Sequence, residues 1–320
     1  GATYAPVSVT VNGLTAYSAK PFDVTFASSR VISASSFTGP ETLTVGAGCD
    51  DVKLADIDGD GKLDLLSMNY NAGSVSVHRN IGTSGTLTSS SFATPAYVLT
   101  TGAAYELAVA DLDGDGLLDV VATGGQAQAY RNTSTAGSVS FVTTSVDISL
   151  GGGLADGIAL RDLDGDGKPD IVVANYSAGN QVSLKRNMSS IGTIAFESTV
   201  TTVDLGVRAS PVEIADIDGD GKPDLVIGAY VVGSSNLVIV RNTSTQGSLN
   251  FSTTPVAFGA SASMNYVHSV AVGDLDGDGK LDIAVTHNGA ASNVSGSPPT
   301  LSLFRNTSAA GSITKDTRAD

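Results

Sequence analysis

Short apolar runs separated by polar turns recur along the whole chain. Residues 212–216 (VEIAD) and 224–230 (DLVIGAY) flank an Asp- and Gly-rich centre, and 236–242 (NLVIVRN) and 249–258 (LNFSTTPVAF) follow. Such runs, rich in Val, Ile, Leu and Phe and bounded by Gly, Ser, Thr and Asn, predict four strands and their turns. No apolar period of 3.6 persists over three turns, so almost no helix is expected.

The same pattern is written five times. DIDGDGKPDLV at 216–226 has near-copies starting at Asp56, Asp111, Asp162 and Asp274. Arg-Asn recurs at 79–80, 131–132, 186–187, 241–242 and 305–306, and a Phe follows a Gly-containing turn at Phe92, Phe141, Phe196 and Phe251, with Phe37 as an earlier copy. Four strands in roughly 50 residues, repeated, predict an all-β β-propeller of four-stranded antiparallel blades. Five blades are favoured, with an unpaired strand at 35–45 completing the last blade and closing the ring. A sixth blade at 7–27 is the rival count. The domains read as an N-terminal β segment at 1–30 and the propeller at 31–320.

The Asp loop is the chemistry-bearing motif. Alternate carboxylates converge on one point at Asp56, Asp58, Asp60 and Asp64; Asp111, Asp113, Asp115 and Asp119; Asp162, Asp164, Asp166 and Asp170; Asp216, Asp218, Asp220 and Asp224; and Asp274, Asp276, Asp278 and Asp282. Position 7 offers a backbone carbonyl, at Lys62, Leu117, Lys168, Lys222 and Lys280. Glycines between them permit the positive φ that wraps a loop around a centre. Hard oxygen donors without His or Cys select Ca²⁺, giving five expected calcium sites. The first half of the loop matches an EF-hand, but position 12 holds Ser67, Ala122, Val173, Ile227 and Val285 instead of Glu, and the flanks are strand-like.

These loops hold 20 of the 28 aspartates in a chain of net charge −15, and five Ca²⁺ would bring that to −5. At extracellular affinities, Kd roughly 10⁻⁴–10⁻³ M, each ion in millimolar calcium stabilises the fold by about 0.5–1.5 kcal/mol. Cytosolic calcium would leave such sites empty, so the expected location is outside the cell, secreted or on the cell surface. An acidic chain with 17 thinly spread basic residues is not a nucleic-acid binder. No run of 18 apolar residues exists, so no membrane insertion is expected, and the opening residues lack a signal-peptide pattern. Cys49, the one cysteine, reads as a small turn or core residue. No nucleophile elbow, His-Glu-x-x-His or phosphate loop is present, so no catalytic residues are assigned and no enzyme is expected.

The repeated Asp loops resemble the FG-GAP/VCBS family, whose best-known members are integrin α-subunit propellers, over about 35–306. The tandem RNTSTAGSVSF style is similar to secreted bacterial surface proteins, and 1–27 resembles the end of a TIG (Ig-like) domain, which implies a larger multidomain surface protein. The resemblance implies calcium loops between the first two strands of each blade and ligands met on the opposite face. There the candidates are Tyr70, Tyr105, Tyr176, Tyr230, Tyr266, His268 and His287. The tyrosines would either ring that face with amphipathic surface or pack between blades. The function implied is adhesion to a protein or cell-surface ligand, with a carbohydrate-binding lectin as the alternative, and a polysaccharide-active enzyme or a structural spacer behind it.

Overall fold

The computed structural model describes residues 6–11, 14–21, 39–99, 105–124, 127–150, 155–175, 179–230, 237–258, 265–288 and 299–313. The chain divides into two compact units, Gly1–Thr42 and Leu43–Asp320. In the first, β1 (Pro6–Val11) and β2 (Leu14–Pro21) form an antiparallel hairpin.

The second unit carries one antiparallel sheet per repeat, and of the rival blade at 7–27 the described residues form only the β1–β2 hairpin. Blade 1 is β3 (Cys49–Ala55), β4 (Asp64–Asn69), β5 (Ser74–His78) and β6 (Ala96–Leu99). Blade 2 is β7 (Leu107–Ala110), β8 (Asp119–Thr123), β9 (Ala127–Tyr130) and β10 (Val146–Ile148), and blade 3 is β11 (Ala155–Arg161), β12 (Asp170–Asn175), β13 (Gln181–Lys185) and β14 (Thr201–Asp204). Blade 4 is β15 (Ala209–Ala215), β16 (Asp224–Ala229), β17 (Leu237–Val240) and β18 (Val256–Phe258). Blade 5 has three strands among the described residues, β19 (Asn265–Gly273), β20 (Asp282–Asn288) and β21 (Pro299–Phe304). Among the described residues the one helical element is a 3₁₀ turn at Ser89–Ser91.

Two expectations need correction. The fourth strand of blade 4 does not run over 249–258: Phe251 makes a single bridge to Asn242, and regular pairing resumes only at Val256–Phe258. A local turn intervenes, in which the Thr254 N–H donates to Ser252 Oγ. The closing strand at 35–45 is the second: residues 35–38 lie outside the described residues, and 39–45 carry no strand. Cys49, expected in a turn or core, stands exposed at the start of β3.

The second strand of each blade is apolar on both faces because a blade packs on a neighbour at either side. In β16, Leu225 and Ile227 enter the core shared with blade 3, while Val226 enters the core shared with blade 5. Among the described residues four such cores join blades 1 and 2, 2 and 3, 3 and 4, and 4 and 5. Approach between blades 3 and 4 is close enough that a Cβ on Gly157 would meet the Ser210 carbonyl oxygen at 2.2 Å. Only glycine fits there.

The outermost faces look different. The residue after the first loop Asp is buried against the next blade at Ile57, Leu112, Leu163 and Ile217, but Leu275 in blade 5 is 59% exposed. Leu301 and Leu303 of β21 are 62% and 65% exposed, where Val182 and Leu184 at the same places in β13 are fully buried. On blade 1, Val52 and Leu54 are 55% and 61% exposed, although Leu107 and Val109, their counterparts in blade 2, pack into the core with blade 1.

Candidate metal centres

Each centre begins with the register of the first hairpin. Ala55 pairs with Asp64, Ala110 with Asp119, Arg161 with Asp170, Ala215 with Asp224 and Gly273 with Asp282, so the ninth loop position is also the first residue of a strand. That Asp is buried in every blade, and both of its oxygens accept backbone N–H bonds. Asp170 takes them from Leu163 at 3.0 Å and Asn187 at 2.8 Å. The first Asp of each loop holds the turn: Asp162 accepts from Gly165, Asp166 and Gly167 N–H. Gly165 and Gly167 have φ of 78° and 90°, which a side chain would strain.

The Arg-Asn pair divides its work. Arg186 reaches into its own blade's loop, Nε to Asp164 Oδ2 and an Nη to Asp166 Oδ2, each at 2.6 Å. Arg131 and Arg241 do the same, whereas Arg79 stands looser, 3.6 Å from Asp58 and 3.8 Å from Asp60. Asn187 works between blades, its Nδ2 donating to Leu112 O of blade 2 at 2.9 Å and to its own Pro169 O at 3.0 Å. Asn132, Asn242 and Asn306 repeat this bridge to Ile57, Leu163 and Ile217. A turn glycine adds a second clasp: Gly137, Gly192 and Gly247 donate N–H to Asp58, Asp113 and Asp164 of the preceding blade. At position 7, Lys168, Lys222 and Lys280 fold their Nζ onto Ser189, Ser244 and Ser308 carbonyls. The Lys and turn-Gly contacts were not singled out from the sequence, whereas the recurring Arg-Asn pair signals a turn with a bond between blades, which the Asn amide makes.

Carboxylate oxygens converge within 4.8 Å of one another at Asp56, Asp58 and Asp64; Asp111, Asp113 and Asp115; Asp162, Asp164 and Asp170; Asp216, Asp218 and Asp224; and Asp274, Asp276 and Asp282. Oxygens bound to one Ca²⁺ at 2.3–2.6 Å lie up to about 5 Å apart, so this spacing suits it. The fifth-position oxygens of Asp60, Asp166, Asp220 and Asp278 accept the Lys62, Lys168, Lys222 and Lys280 N–H. Burial, and then the neighbouring carboxylates, push Asp170 up to about 7 and Asp119 to about 6, against their two backbone N–H bonds. For Asp224 burial and the Asp218 charge likewise reach about 6, and Asp64 is raised for the same first reason. Asp282 goes the other way: the Asn306 and Leu275 N–H groups outweigh the effect of burial and hold it below the usual carboxylate range. A dense anionic centre with one guanidinium on its rim has the charge and donor set of a divalent-cation site.

At the opposite end of the strands, the tyrosines meet in pairs across blade boundaries. Tyr70 and Tyr105 meet at a tilt of 50° with ring centres 5.0 Å apart between blades 1 and 2, and Tyr230 and Tyr266 at the same tilt and 4.7 Å between blades 4 and 5. All four are half-buried, and His268 stands edge-on to Tyr230 at 6.0 Å while its Nε2 meets Asn288 Oδ1 at 3.2 Å. His287 is buried within blade 5, with Nδ1 on Asn288 O and Nε2 on Ser302 Oγ. Tyr176 lies outside the described residues.

The profile of the FG-GAP-like repeat matches residues 56–122, 120–173, 162–227 and 228–285. Human integrin alpha-7 is 33% identical over 149 residues, which is 41% of this chain and 12% of that protein, so the chain spans only a small part of the relative's length. Among solved structures, a Lactobacillus plantarum protein aligns at TM-score 0.49 and 16% identity over 83% of this chain and 73% of its own. The V. cholerae biofilm matrix protein Bap1 aligns at 0.33 and 17% over 83% and 55%.

Proposed function

The chain belongs to the FG-GAP-like repeat family, and from that premise we propose that it is a calcium-stabilised binding module working outside the cell. The five Asp loops carry this reading: each draws a trio of carboxylates within 4.8 Å and ties them into the hydrogen bonds between strands and blades. Calcium would sit among positions 1, 3, 5 and 9 with the position 7 carbonyl, and would offset charge that burial makes costly. Its role is to brace the disc. Ligand contact then falls to the other end of the strands, where no loop repeats its neighbour.

A protein ligand fits that end better than a glycan repeated once per blade. Among the described residues the paired rings stand at two blade boundaries, and the loops at this end differ in length and sequence from blade to blade. Paired, half-buried tyrosines with a histidine beside them offer rigid amphipathic contact at small entropic cost. Binding of this kind needs no covalent step, and the relative's name, an integrin subunit, agrees with a role in adhesion. The test is a screen of extracellular proteins and of a glycan array in millimolar calcium, repeated with Tyr230→Ser/His268→Ser. The expected result is a protein hit weakened at least about tenfold by the double variant, the loss of one central contact. Binding to glycans alone would replace this reading with the lectin.

A further inference from the structure

We propose that the five metal centres form a graded series, in which blade 2 holds its ion most tightly and blade 1 most loosely, and that Leu117 and Arg79 set this order. The inference rests on the calcium reading above and concerns what surrounds the loops, since the four aspartates are the same in all five. With the ligands alike, affinity is tuned by the charge of the site and by how firmly its ligands are fixed beforehand.

Charge separates blade 2. In blades 3, 4 and 5 the position 7 lysine lays its Nζ on the Ser189, Ser244 or Ser308 carbonyl at 2.7, 2.8 and 2.7 Å. Two cations, this lysine and the arginine of the Arg-Asn pair, therefore stand beside four carboxylates. Blade 2 has Leu117 in the lysine's place and keeps Arg131 alone. One unit charge fewer beside a divalent ion raises its affinity about fivefold after solvent screening. In blade 2, moreover, Asp115 joins Asp111 and Asp113 in the converging trio, where the other blades draw on position 9.

Grip separates blade 1. Arg131 takes Oδ2 of Asp113 and of Asp115 at 2.6 and 2.7 Å, while loop N–H groups hold Oδ1 of both. Such a fork fixes the rotation of two carboxylates before an ion arrives. Arg186, Arg241 and Arg305 make the same pair of bonds. Arg79 stands 3.6 and 3.8 Å from Asp58 and Asp60, too far for a hydrogen bond, so its charge is present and its fork is not. The corner it opens is also the longer one: Phe92 follows Arg79 by 13 residues, where Phe141, Phe196 and Phe251 follow their arginines by 10. Asp58 is still held by the Gly137 N–H, which leaves Asp60 as the side chain that binding must order. Ordering one side chain lowers affinity about fivefold.

Each centre has its own reporter. Gly61, Gly116, Gly167, Gly221 and Gly279 donate their N–H to the first Asp of their loops, so five amide signals follow five sites. The test is a calcium titration of the whole ¹⁵N-labelled chain by NMR in buffered free calcium. Gly116 should shift at the lowest calcium and Gly61 at the highest, with midpoints at least about tenfold apart and the other three between. Leu117→Lys should raise the Gly116 midpoint about fivefold and leave Gly61 where it was. Arg131→Lys keeps the charge and loses the fork, so it should raise the Gly116 midpoint by a similar factor, which a role through charge alone would not do. One midpoint shared by all five signals overturns the proposal, as does any order in which Gly116 is not first or Gly61 not last. A Gly116 midpoint unmoved by Leu117→Lys overturns it equally. Glycine signals that ignore calcium altogether would instead remove the calcium reading itself, and the order with it.

Discussion

Asp170 shows at a single residue why these loops call for a cation. Its carboxyl is fully buried, holds two backbone N–H bonds, and is still pushed up to about 7. A carboxyl raised in the folded state adds stability below its unfolded value and loses it as pH rises through the folded one. In the metal-free protein this contribution therefore fades between about pH 4 and 7, while calcium, which binds the ionised form, gains affinity over the same window. Calcium binding at pH 6 should accordingly release more protons per ion than at pH 8, measurable by calorimetry in buffers of different ionisation enthalpy. Equal release at both pH values would remove these carboxyls from the sites. Blade 5 should hold calcium to lower pH than the others, since Asp282 starts below the usual range.

At the scale of the element, the hairpin, the Arg-Asn corner and the turn after it form one clasp that is handed from blade to blade. Asn187→Ala would leave Leu112 O and Pro169 O without their donor, a cost of about 2–4 kcal/mol for two unsatisfied carbonyls. Asn80→Ala removes one such bond and should cost clearly less, which urea denaturation of the two variants would show. The strands were legible in the sequence because their apolar runs are short and turn-bounded. The fourth strand was read too long, since Phe251 looks like a strand residue while the Ser252–Thr254 turn beside it interrupts the pairing. Asn132 and Asn242 sit in glycosylation sequons, yet both are fully buried, so they act as structural amides.

At the scale of the whole molecule, stability is shared between apolar cores and charge. Four cores join the blades, and the Asp loops set anions at one end of every blade. Removing calcium should therefore loosen all five blades together. At about 0.5–1.5 kcal/mol per site, chelation should lower the melting temperature by at least about 5 °C, since 1 kcal/mol moves Tm by about 2–4 °C in a large domain. An unchanged Tm in calorimetry would remove the loops from the stability of the fold.

The sequence by itself determined the repeat, the blade and the converging carboxylates. These depend on local spacing: alternation makes the strand, glycine makes the turn, and Asp at every second position aims side chains at one centre. Only the tertiary structure decided which bonds join one blade to the next. It assigned Arg to its own loop, Asn to the neighbour's carbonyl and the tyrosines to pairs across boundaries. It also showed Leu275, Leu301 and Leu303 uncovered in blade 5. A repeat spells its own blade identically each time, but whether a face is buried depends on what lies beside it, and that is a property of position in the fold.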